Sequence, residues 1–89
     1  MPSISTFYGI IVYIYFVDKK RHKSPHIHAK YQEYEASVWI PDGNILEGKL
    51  PVAKMKLLQA WMEIHKDELL AAWQLAATGE QPPKIEPLR

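Results

Sequence analysis

His26-Ile27-His28 sets two imidazoles two residues apart. On a β-strand that spacing sends both from one face, roughly 6.5–7 Å apart at Cα. Neutral imidazoles so placed chelate Zn²⁺ or Fe²⁺ once a third group completes the set. Without a metal they can move protons near neutral pH. His26 and His28 are therefore the candidate catalytic residues and the weaker candidate metal ligands. The bland alternative is a solvated or partner-contacting pair.

A third ligand is hard to find in the sequence. Glu33 follows at a spacing seen in the first cupin motif, but that motif's flanking glycines are absent and no second motif follows. A triad of the histidine-triad nucleotide-binding type needs a third alternating His, and position 30 is Lys. His22 would serve only if its loop folded back. No cofactor is expected, and no P-loop or Ser–His–Asp order is present.

Aromatic and basic residues surround the pair. Tyr13 and Tyr15 alternate with Val12, Ile14 and Phe16, so they can share a face with the imidazoles, as can Trp39. Aromatic rings beside Lys30 and the loop Lys19-Lys20-Arg21-His22-Lys23 are what single-stranded RNA recognition uses: stacking platforms and phosphate contacts. Candidate binding residues are thus Lys20, Arg21, Lys30, Trp39, Tyr13 and Tyr15. Solvation of the loop, and coverage of the rings by a partner or by the chain's own helices, are the alternatives.

The elements that must position these residues follow from periodicity. Phe7 to Phe16 is β-branched and aromatic almost throughout and predicts one strand buried on both faces or nearly so. Asp18 to Pro25 breaks it. From His26 to Tyr31 residues alternate, and alternation resumes from Tyr34 to Ile40. If Gln32-Glu33 is a two-residue turn, Lys30 faces Glu35, His28 faces Ser37 and His26 faces Trp39, with the apolar residues together on the other side. Gln-Glu is a poor type I′ turn, so a longer connection is the alternative. Both imidazoles should then leave the face opposite Ile27 and Ala29, with neither anchoring the core. Pro41-Asp42-Gly43-Asn44 is a strong turn signal, and Ile45 to Gly48 a short edge strand.

Pro51 suits a first helical position. Apolar residues from Leu57 through Trp61, Ile64, Leu69 and Trp73 to Ala76 then recur at three and four. A single helix from Val52 to Thr78 would be about 40 Å long. The polar turn His65-Lys66-Asp67-Glu68 is where it would kink or break, with Asp67 as N-cap. Gly79 and Pro82-Pro83 end it. The expected fold is α+β: an antiparallel meander of about four strands packed on one or two C-terminal helices. Residues 1–80 form a single domain and 81–89 a proline-rich tail that docks or is disordered. The expected core includes Ile10, Val12, Ile14, Val38, Ile40, Leu57, Trp61 and Trp73.

Bulk properties narrow the function. The chain has no cysteine, which excludes disulfides and thiolate metal sites. A formal charge of +1 creates no global field toward nucleic acid or membrane. The apolar run from Phe7 is too short to span a bilayer, and Met1-Pro2-Ser3 lacks the basic start of a secretion signal. Cytoplasm is the expected location, with no membrane partner.

Several segments together resemble the family called domain of unknown function 4160. They are Met1-Pro2-Ser3-Ile4-Ser5, Phe7-Tyr8-Gly9-Ile10, Ser24-Pro25-His26-Ile27-His28 and Gly48-Lys49-Leu50-Pro51. The helical Trp61…His65…Glu68-Leu69…Trp73 and the ending Lys84-Ile85-Glu86-Pro87-Leu88 complete the set. The chain departs from the family's usual loop in its longer basic stretch, in Ser24 and in Ile27. The resemblance implies a small bacterial protein without an established activity, often encoded beside a member of domain of unknown function 2442. That arrangement implies a toxin–antitoxin-like two-gene module in which this chain binds a small partner protein. An RNA-directed enzyme or RNA-binding module is the alternative reading, and a metal-dependent enzyme the weaker one. A second copy of the chain is a further expected partner.

Overall fold

The computed structural model describes residues 3–14 and 25–89. Among them lie five strands, β1 (Ser5–Phe7), β2 (Ile10–Tyr13), β3 (His26–Tyr31), β4 (Tyr34–Trp39) and β5 (Ile45–Lys49), followed by helices α1 (Val52–Ile64) and α2 (Lys66–Ala77). The strands form one sheet in the order β1-β2-β3-β4-β5, every neighbour antiparallel. The architecture is α+β, as expected, with one more strand than the sequence suggested.

The extra strand comes from the first apolar run. Tyr8 and Gly9 both take positive φ, 50° and 81°, and turn the chain there, so Phe7 to Tyr13 is a hairpin rather than one strand. Positive φ at two successive positions is what a tight hairpin turn demands, and Gly9 meets it without a Cβ penalty. The Gln32-Glu33 turn holds its short form because Gln32 alone takes a positive φ, 54°. The register follows as the alternation required: Lys30 opposite Glu35, His28 opposite Ser37, His26 opposite Trp39.

One face of the sheet is apolar. Phe7, Ile10, Val12, Ile27, Ala29, Ala36 and Val38 are buried in one cluster with Met55, Leu58, Trp61 and Met62 of α1 and Leu69, Ala72 and Ala76 of α2. The Trp61 ring centroid lies 5.0 Å from that of Phe7. Burial at three- and four-residue steps is the amphipathic face the periodicity predicts. Ile10, Val12, Ile14, Val38, Ile40 and Trp61 are all buried, whereas Leu57 and Trp73 are half-buried at the margin of the cluster.

The helical segment is two helices that meet at His65, whose φ of −109° and ψ of 25° leave helical geometry. An unbroken helix of about 40 Å would overrun the 33 Å longest dimension of the chain. His65, not Asp67, occupies the N-cap of α2, and Pro51 is the N-cap of α1 rather than its first residue. Asp67 and Glu68 instead sit in the first turn of α2, where negative charge complements the helix dipole. At the other end Gly79 has φ 86°. Its N–H donates to Ala76 O at 3.0 Å and that of Glu80 to Leu75 O at 2.9 Å, a Schellman termination.

Both sheet edges are guarded. Beyond β1 the tail docks: Ile85 is buried and its N–H donates to Ile4 O at 2.8 Å. Trp61 Nε1–H donates to Glu86 O at 2.7 Å, which straps the tail to α1. Arg89 then holds the Glu86 carboxyl below its ordinary pKa by hydrogen bond and charge. On β5, Ser37 pairs with Glu47 but Val38 pairs with Ile45, so Leu46 is the extra residue of a bulge. A bulge beside Glu47 and Lys49 is a known way of discouraging edge-to-edge pairing.

Candidate functional site: the polar face of the sheet

The antiparallel registers assemble the other face row by row. Tyr13 stands opposite His28, His28 opposite Ser37, and Ser37 opposite Glu47. That row gathers residues from four strands and from sequence positions far apart. Beside it lies the row Ile11, Lys30, Glu35, Lys49, and on its other side the pair His26 and Trp39. Period-2 alternation explains why no apolar core residue interrupts the rows.

His28 is the half-buried centre of the arrangement. Its Nδ1 lies 3.2 Å from Ser37 Oγ. With the ring proton on Nε2 the hydroxyl donates to Nδ1, and with the proton on Nδ1 the imidazole donates. Ser37 is only 5% exposed, so its hydroxyl gains a partner that water would otherwise supply. Next to this pair is an open concavity of about 330 Å³, lined by His28, Glu35, Ala36, Ser37, Glu47 and Gly48. It offers two carboxylates, a hydroxyl and an imidazole edge within one hollow.

His26 differs from its neighbour in a way the alternation did not reveal. It is 0% exposed. Its ring lies 5.0 Å from that of His28, edge-on at 67°, and 4.9 Å from that of Trp73 at 52°. Trp73 comes from α2, so the second helix closes over the His26 end of this face. The expectation that neither imidazole supports the fold is therefore corrected for His26. Of the pair, His28 reaches the concavity and His26 braces it.

The remaining predicted residues divide clearly. Tyr13 and Trp39 are half-buried in the rows on either side of the imidazoles, and Lys30 is exposed. Trp39 Nε1 is buried without a hydrogen-bond partner among the described residues. Tyr15, Lys20, Arg21 and the rest of the basic loop lie outside the described residues. Glu33 is exposed in the turn. Among the described residues no three His, Asp or Glu side chains converge to hold a metal ion, so His26 and His28 gain no third ligand there. Trp73 is the participant sequence reasoning placed elsewhere. Helical periodicity assigned it to the core, and no local signal connects it with a histidine 47 positions earlier.

Comparison with known protein families matches residues 9–74 to the family described as Domain of unknown function (DUF4160). No curated protein and no solved structure matches the chain. The matched span runs from the β1–β2 turn into the middle of α2 and includes His26, His28, Ser37, Glu47 and Trp73. The chain belongs to the family of the domain of unknown function 4160.

Proposed function

We propose that this protein works by binding a small partner protein, as one component of a toxin–antitoxin-like two-gene module, and that the polar sheet face is where the partner docks. The observation that carries this reading is the concavity beside His28, Ser37 and Glu47. It is a recess in a face whose half-buried Tyr13 and Trp39 supply the aromatic anchors that dominate interface energetics. The guarded edges support the same surface, because main-chain strand addition at β5 would have to overcome the Leu46 bulge. The resemblance described above points to a member of domain of unknown function 2442 as the partner. Co-expression with the product of the neighbouring gene should give one complex that survives size-exclusion chromatography. Two separately eluting proteins, at concentrations well above micromolar, would remove the reading.

A second reading is RNA binding at the same face. It is favoured by the placement of Tyr13 and Trp39 on either side of the imidazoles with exposed Lys30 one row away. Its signature is affinity for single-stranded RNA that falls steeply with salt and weakens on charge reversal at Lys30.

A further inference from the structure

Glu35 and Glu47 are diagonal neighbours on adjacent strands, since Glu35 pairs with Lys49 and Ser37 with Glu47. Diagonal side chains on one face stand about 7–8 Å apart, a span that one forked cation can bridge. Both carboxylates line the concavity together with the buried hydroxyl of Ser37, and no Lys or Arg lines it. Lys30 and Lys49 stand opposite Glu35 in the register, yet the ion pairs between described residues are His65–Glu68, Lys66–Glu63 and Arg89–Glu86, none on this face. Glu35 is thus turned to the hollow rather than to its lysines. Gly48 adds room: its φ of 75° and missing Cβ bring β5 against β4 at the floor.

We propose that this concavity is a subsite for the guanidinium of an arginine side chain, presented by the small partner protein; the source of the arginine rests on the partner-binding reading above. A guanidinium offers five donors in a planar fork, which suits two carboxylates and a hydroxyl set in different directions. The imidazole of His28 and the neighbouring Tyr13 supply the flat surface on which such a group stacks. An ammonium, as a compact point charge, would satisfy one carboxylate and leave the other.

The test needs no partner. The ¹⁵N-labelled full chain is titrated with Nα-acetyl-L-arginine amide, and in parallel with Nα-acetyl-L-citrulline amide, which has the same shape without the charge. Saturable amide shifts should concentrate at Ser37, Glu47 and Gly48 at millimolar arginine probe. They should weaken at least about threefold with citrulline, and likewise in Glu35→Gln and Glu47→Gln, which keep side-chain volume and fold. Equal responses to the two probes, shifts scattered over the surface, or shifts unchanged in both variants would overturn the subsite. In the complex with the neighbouring gene's product, Glu47→Gln should weaken affinity about tenfold, the scale of one charge-assisted hydrogen bond. A complex that forms with full affinity in both variants overturns the subsite and leaves partner binding intact. Arginine shifts without any complex overturn the partner as its source and leave the guanidinium preference standing.

Discussion

Trp61→Ala should destabilise the domain by about 3–5 kcal/mol, a loss comparable to much of the total stability of so small a fold. Trp61 is fully buried, packs on Phe7 and fills the space between α1 and the sheet. Its indole N–H is also the donor that holds the tail at Glu86 O. Removing the side chain therefore opens a cavity and releases the strap together. The urea midpoint should fall sharply, with much of the population unfolded before denaturant is added. Trp61→Phe separates the two contributions, because it retains a ring and loses the hydrogen bond. It should cost roughly 1–2 kcal/mol and loosen Gln81 to Arg89 first. A near-neutral Trp61→Ala would mean that α1 does not pack on this sheet face as described.

Gly48→Ala should be the most damaging single methyl in the sheet. A Cβ at Gly48 would lie 2.1 Å from the carbonyl oxygen of Glu35, a backbone atom that cannot swing aside, and φ there is 75°. The left-handed conformation alone costs a non-glycine residue about 1 kcal/mol or more. Relief of the contact must push β5 off β4, so the expected loss is at least about 2 kcal/mol. Amide exchange should quicken at Glu35, Ser37 and Lys49 before it quickens in β2 and β3, because the damage starts at that edge. Uniform protection in a stable Gly48→Ala protein would contradict the β4–β5 geometry, and with it the floor of the concavity.

These two residues also show what the sequence could and could not reveal. Trp61 was legible because helical periodicity reads burial directly. The β3–β4 register was legible for a similar reason: charge and apolarity agree on one alignment, so Lys30 with Glu35 and His28 with Ser37 follow from local pattern. Gly48 was visible only as a weak strand residue, because its conformation is set by contact with β4 and not by its neighbours. The first apolar run misled for the opposite reason. Its composition is so strand-like that the turn at Tyr8-Gly9 left a single glycine as its trace. The His pair was found by spacing, yet its division into a buried brace and a concavity-lining member depends on Trp73. That contact is tertiary, and no periodicity carries it.

The central claim is that the polar face, with His28 at its concavity, is the binding surface for a small partner protein. The most direct measurement is calorimetric titration of the neighbouring gene's product into wild-type, His28→Ala and His26→Ala protein, each first checked by urea unfolding. His28→Ala should keep its unfolding midpoint within a small margin and lose at least about tenfold in affinity, since a half-buried interface centre is removed without a core residue. His26→Ala should lower the midpoint as well, because it empties a site packed against Trp73. Wild-type affinity in a folded His28→Ala protein would contradict the claim.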